Sequence, residues 1–162
     1  INNMAITKDD FKKAMGHWAS GVTIVTYSEN GIYGGLTASS FTSLSVDPFL
    51  VLFSVLKTAA SHDKIISLKE FAINILSAEQ ENASNNFAKP DSDRDALVHE
   101  IGFTHQVTKA PLLKNSLCHL DCTLENVYAG GDHSIIVGKV HYAHTDETKR
   151  PLLYFYRKYY SI

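Results

Sequence analysis

Long apolar runs are missing from this chain. None of its 162 residues sits in a stretch approaching the roughly 20 apolar residues that span a bilayer, which excludes a helical membrane anchor within it. The opening "INNMAITKDDFKK" has neither the basic start nor the apolar centre of a signal peptide. Cysteine is scarce: Cys118 and Cys122 are too few for a disulfide framework. A cytoplasmic, reducing location is therefore expected. Charge of one sign is also lacking. The net charge of −2 gives no electrostatic footprint for nucleic acid or an anionic membrane. GxGxxG and GxxxxGK[ST] are absent, which closes the Rossmann and P-loop routes to phosphate. There is no GxSxG elbow and no HExxH pair. Cys118-His119-Leu120-Asp121-Cys122 has the composition of a metal clip, but on a strand its thiols lie too far apart to share one ion, so no metal is expected.

What is there reads as one globular domain, 1–162, large enough to bury a core. Thr7-Lys8-Asp9-Asp10 predicts a helix start. Phe11, Ala14, Met15 and Trp18 follow at helical spacing and are expected to pack into the core, with Gly21 ending the pattern. "VTIVTY" (22–27) is a strand leading into Asn30-Gly31, a strong hairpin signal. A second strand from Ile32 is expected to run on through a hydroxyl-rich stretch. Asp47-Pro48 marks a turn, and "FLVLFSV" (49–55) reads as a strand buried on both faces. A short helix should open at 61–64. "FAINIL" (71–76) is a further strand, and Ser77-Ala78-Glu79-Gln80 is a capping box for a helix to about Phe87. Residues 89–100 read as an exposed loop with a helical turn. Long strands are expected at 117–128 and 133–143, before a strongly aromatic end. Few helices among six or more strands fit a closed antiparallel barrel with peripheral helices.

Residues 34–45, "GGLTASSFTSLS", carry six hydroxyls beside an apolar strand. They form either a polar edge strand or a surface for an oxygen-rich ligand, since hydroxyls and backbone N–H groups hold phosphate without buried cations. Gly34 and Gly35 would let the backbone approach that ligand closely. Lys57 is the only Lys or Arg between Lys13 and Lys64; it is a solvated loop lysine or a phosphate ligand, with Thr58 and the helix start near Ser61 adding donors. Gly131-Asp132-His133 is turn punctuation or a turn histidine that meets a nicotinamide. Tyr154, Tyr156, Arg157, Lys158, Tyr159 and Tyr160 offer ring faces and cations, for a dinucleotide or simply for packing.

Taken in order, "FKKAMGHWASGVTIVT", "GGLTASSFTSLSVDPFLVLFSV", "FAINILSAEQENASNNFA", "GDHSIIVGKV" and "PLLYFYRKYY" resemble the flavin reductase-like, FMN-binding split-barrel family, over about Phe11 to Tyr160. That family includes the small reductase components of two-component flavin monooxygenases. The resemblance implies a mainly β fold: a six-stranded antiparallel Greek-key split barrel with a few peripheral helices, forming a homodimer with flavin at the subunit interface. It implies that Thr37, Ala38, Ser39 and Ser40 line the flavin ring and its side chain. Ser54, Val55, Lys57, Thr58 and Ser61 match the phosphate side, and Phe87 and Ala88 the end of a covering helix. His133 matches the nicotinamide-binding, catalytic histidine, with Tyr154 and Tyr159 beside it. Where many relatives have Arg or Lys-Ser-Ser, this chain has Lys57-Thr58-Ala59-Ala60.

The expected activity is hydride transfer from NADH or NADPH to FMN or FAD, with reduced flavin passed to a partner monooxygenase. No nucleic-acid or membrane partner is expected. A non-catalytic flavin-binding electron carrier is the alternative. A small-barrel module binding nucleic acid or protein is the third reading.

Overall fold

The structure, a computed structural model, describes residues 5–162. In chain order its strands are β1 (Ser20–Gly21), β2 (Thr23–Glu29), β3 (Ile32–Ala38), β4 (Thr42–Val46), β5 (Phe49–Leu56), β6 (Glu70–Ile75), β7 (Phe103–Thr104), β8 (Leu112–Leu113), β9 (Cys118–Gly130), β10 (His133–Thr145), β11 (Leu153–Phe155) and β12 (Lys158–Tyr160). The helices are α1 (Lys8–Met15), α2 (Ala60–Leu68), α3 (Glu81–Ala88) and α4 (Arg94–Ile101).

Seven strands form the main sheet in the order β3-β2-β6-β9-β10-β5-β4, each antiparallel to its neighbours. The hydroxyl-rich stretch decides both the strand count and the closure. Instead of one continuous strand it is two, β3 and β4, which lie at opposite edges of the sheet. The segment Ser39–Phe41 alone joins those edges, so the sheet must curl until they meet. Ser40 fastens the crossing: its hydroxyl donates to Ser54 O (3.1 Å) and accepts from Ser54 N (3.0 Å) on β5. This is a split barrel with seven strands where six were expected.

Inside the curl pack Val25, Phe53, Val55, Phe71, Ile73 and Ile136, with Cys122 from β9. The outer face of β3 and β2 is covered by α3 and α4 over a second core of Val22, Ile24, Leu76, Phe87, Val98 and Leu113. Both faces of β2 are thus covered, and Thr23 to Tyr27 are buried without alternation. Asp121, buried on β9, accepts from Val107 N (2.8 Å), Thr108 N (3.0 Å) and Thr108 Oγ1 (2.6 Å). These bonds offset the desolvation of its charge.

Local signals formed as their chemistry dictates. Thr7 Oγ1 accepts from Asp10 N (3.1 Å) and the Asp10 carboxylate from Thr7 N (3.1 Å), a reciprocal cap. Asn30 and Gly31 both take positive φ (53° and 82°) in the two-residue β2–β3 turn. Gln80 Oε1 accepts from Ser77 N (3.1 Å) where the helical segment begins.

Four expectations are corrected. First, α1 stops at Gly16, and its apolar face is not core: Phe11 is 58% exposed, Met15 51% and Trp18 73%. The helix has two turns and is held at its C-terminal end, where Tyr156 N donates to Gly16 O (2.8 Å), so no described residue of this chain covers that face. Second, "FLVLFSV" is not buried on both faces. Val51, Phe53 and Val55 point inward, while Leu50, Leu52 and Ser54 on the other face are only half-buried and Leu56 is exposed, because β4 and β10 flank β5 and no described helix packs over that outer side. Third, residues 94–101 form a true helix. Asp93 caps it by accepting from Ala96 N (3.0 Å), and Val98 is its one buried residue, too sparse an apolar signal to read. Fourth, Gly34 and Gly35 are small for the protein's own packing, since a Cβ on Gly34 would strike the Tyr27 ring and one on Gly35 would lie 2.6 Å from Val25 O.

Candidate functional site

The β3–β4 crossing forms one wall of a cavity of about 850 Å³. The end of α1 and the β11–β12 hairpin form the others. Alternation along β3 sends Ala38 into the barrel and leaves Thr37 and Ser39 facing outward. Hydroxyls reach the cavity from Ser20, Ser39, Ser40 and Thr42, and cations from Lys12 and Arg157. Trp18, Phe41 and Tyr154 supply ring surface, and no carboxylate lines it among the described residues. A volume of this size suits a drug- or cofactor-sized ligand. The lining chemistry suits an aromatic, anionic one.

A second cavity of about 330 Å³ shares Ser39, Tyr154 and Arg157 and adds Thr37, Ala88 and Tyr159. Its wall is a hydroxyl chain. Thr37 Oγ1 donates to Ser84 O (2.6 Å), the Ser84 and Tyr159 hydroxyls lie 2.8 Å apart, and Tyr159 OH donates to Asn85 Oδ1 (3.2 Å). Tyr154 and Tyr159 pack with ring centroids 5.2 Å apart. Behind it, Arg94 ties α3 to β3. Its guanidinium donates to Phe87 O (3.2 Å), Lys89 O (2.5 Å), Ser92 O (2.6 Å) and Gly35 O (3.3 Å). Neither the hydroxyl chain nor the role of Arg94 was readable as site structure, because the contacts that decide them, Thr37 to Ser84, Ser84 to Tyr159 and Arg94 to Gly35, join residues distant in sequence.

The expected phosphate side lies further along β5, past the Ser40–Ser54 latch. Lys57 follows Ser54 by three residues, about 10 Å along an extended chain. Its backbone N donates to Asp132 O (2.9 Å) and its Nζ to Gly131 O (2.7 Å), which locks it to the β9–β10 turn. Thr58 is exposed, and α2 begins two residues later with uncapped backbone donors. His133 sits in the same corner, paired in register with Leu56. Its Nδ1 donates to the Asp132 carboxylate (2.7 Å), which leaves Nε2 free. That bond, with the His133 charge and Lys57 nearby, holds the Asp132 carboxyl below its usual range.

Four expected residues turn their side chains inward, Ala38 among them. Val55 is in the barrel core. Phe87 packs in the outer core against Gly35. Ser61 is buried, donating to Gly35 O (3.4 Å) and accepting from Tyr27 OH (3.3 Å). Only their backbones remain for a ligand. The structure thus gathers Thr37, Ser39, Ser40, Ala88, Tyr154 and Tyr159 at the two cavities. It gathers Ser54, Lys57, Thr58 and His133 at the neighbouring corner.

Comparison with known proteins decides the family, for the flavin reductase like domain matches residues 15–162. The chain belongs to the flavin reductase-like family. It is 38% identical over 157 residues to the reductase subunit HsaB of a flavin-dependent monooxygenase from Rhodococcus jostii, covering 97% of this chain and 78% of that protein. It is 37% identical over 155 residues to an NADH-dependent flavin reductase of a Rhodococcus species, covering 93% and 84%. Among solved flavin reductases, the NADH:FAD oxidoreductase SgcE6 of Streptomyces globisporus, in complex with NAD and FAD fragments, superposes with a TM-score of 0.89. The two are 31% identical, over 98% of this chain and 96% of that one.

Proposed function

We propose that this chain is an NADH-dependent flavin oxidoreductase that supplies reduced flavin to a partner monooxygenase. The observation that carries the reading is the joined pair of cavities: hydroxyl, aromatic and cationic lining with no carboxylate, built on the β3–β4 crossing. Flavin held there would supply the redox chemistry, as acceptor of a hydride from a dihydronicotinamide.

The chain's residues position and screen. The backbone from Thr37 to Ser40 offers donors to a flavin edge, stabilising negative charge that develops on reduction. The Ser40–Ser54 latch fixes where those donors point. Lys57, Thr58 and the start of α2 take the flavin phosphate, with one proton donor of Lys57 already spent on Gly131. Ala88 and the backbone around Phe87 close the side of the site. Tyr154 and Tyr159 flank the nicotinamide, and His133, oriented by Asp132, turns Nε2 toward the nicotinamide amide. No strong acid or base is needed, because holding two rings in register is the main contribution.

The working unit is a homodimer. Phe11 and Met15 on α1 and Trp18 just after it, with Val46 and Phe49 at the edge of the barrel, are more than half exposed in the single chain and call for cover. A second copy supplies it. We place the protein in the cytoplasm, a reading supported by its two unpaired cysteines; among the described residues no helix is long and apolar enough to cross a membrane.

The test is direct. Purified protein should quench the fluorescence of added FMN or FAD and oxidise NADH only when flavin is present. Protein that binds flavin without consuming NADH or NADPH is an electron carrier instead. Protein that binds no flavin is neither.

A further inference from the structure

The chain has three arginines, and they are used differently. Arg94 is saturated by four backbone carbonyls, and Arg150 donates to Ile162 O (2.9 Å). Arg157 has no hydrogen-bonding or ion-pair partner for its guanidinium among the described residues. It occupies a two-residue turn with Tyr156, and both sit at positive φ (62° and 47°). That region disfavours any side chain with a Cβ. The turn is pinned from below by Tyr156 N donating to Gly16 O and by the His17 ring, 4.9 Å from that of Tyr156.

Three cavities converge on this residue. Two are those described above. The third, of about 350 Å³, is lined by Asp9, Lys12, Lys13, Gly16, Tyr156 and Arg157. Lys12 and Arg157 also line the 850 Å³ cavity, so they stand where the two adjoin. Three cations face one carboxylate in the third cavity. The C-terminal end of α1 adds only about half a negative charge, so this junction stays positive.

We infer that Lys12 and Arg157 form the binding site for the diphosphate of the dihydronicotinamide dinucleotide. The nicotinamide end lies beside Tyr154. The chain of the ligand passes between the two cations, and the adenosine end enters the third cavity, where Tyr156 offers a half-exposed ring face and Asp9 accepts from ribose hydroxyls. A guanidinium fork matches phosphate oxygens two at a time, which an ammonium does not. Strain retained in a turn is expected where a ligand needs the side chain. The inference rests on the reductase reading for its choice of ligand.

The experiment uses the whole protein with saturating flavin and two hydride donors: NADH, and 1-benzyl-1,4-dihydronicotinamide, which has no phosphate. R157Q should raise the KM for NADH about tenfold or more, with a much smaller change in the KM for the benzyl donor. R157K should recover part of the loss. Calorimetry with ADP-ribose, which carries the diphosphate and adenosine without the nicotinamide, should show binding to wild type that R157Q weakens by a similar factor. Equal losses on both donors, or an unchanged KM for NADH and unchanged ADP-ribose binding, would overturn the assignment. Wild type that oxidises neither donor defeats the reductase reading instead, and ADP-ribose binding still decides whether Arg157 holds a diphosphate.

Discussion

Two hairpins of this chain solve the same problem with different residues. The β2–β3 and β11–β12 loops each have two residues, and both residues of each take positive φ: Asn30-Gly31 at 53° and 82°, Tyr156-Arg157 at 47° and 62°. This geometry matches the right-handed twist of the flanking strands. Asn and Gly adopt it at little cost. Tyr and Arg do so against Cβ sterics worth roughly 1–2 kcal/mol per residue. The inexpensive turn stands clear of its surroundings, since a Cβ on Gly31 would meet nothing within 4 Å. The strained one sits where the cavities of the site converge. Where only a chain reversal is needed, the residues are those the reversal prefers. Where ligand chemistry is needed as well, the turn keeps side chains that its backbone disfavours.

The largest effect should come from moving the strained residues to the plain turn. N30Y/G31R should destabilise the protein by about 2–4 kcal/mol, read as a fall in the urea midpoint. The KM for NADH should not change, and a changed KM would break the division between the two turns. The reverse exchange, Y156N/R157G, should raise stability by about 1 kcal/mol while ADP-ribose binding is lost. A gain in stability with binding intact would mean that the strain serves no ligand. The smallest effect separates the two halves of the hydroxyl stretch. S40A removes the latch to β5 and should weaken flavin binding about fivefold, the equivalent of one net hydrogen bond of roughly 1 kcal/mol. S43A, on the exposed face of β4, should leave flavin binding unchanged in a fluorescence titration.

Legibility followed the range of the interactions. The Thr7 cap, the Asn30-Gly31 reversal, the 71–76 strand and the long β9–β10 hairpin depend on neighbours within a few residues, and each is present where its motif stands. Errors arose where a neighbour distant in sequence decides. Helical spacing marked an apolar face on α1 but not whether anything covers it. An apolar run in β5 looked like burial on both sides, though only one face meets the core. Gly34 and Gly35 stood beside a candidate ligand wall, yet Tyr27 and the Val25 carbonyl explain them. Among the site residues, that Thr37 and Ser39 share a face follows from simple alternation, and the structure turns that face outward. That Val55, Phe87 and Ser61 turn inward depended on which cores formed around them.

By itself the sequence determined most of the element types, the local caps and turns, the absence of Rossmann and P-loop phosphate motifs, and a hydroxyl-rich segment beside an apolar strand. Covalent geometry, local hydrogen bonding and side-chain periodicity act within a few residues and leave their mark there. Only the tertiary structure decided that this segment splits between opposite edges of one sheet, so that three residues close a barrel. Only it decided that Arg157, more than 140 residues from Lys12, lines the same two cavities as that lysine. Such pairings depend on which surfaces the curl of the sheet brings together, and no local spacing encodes them.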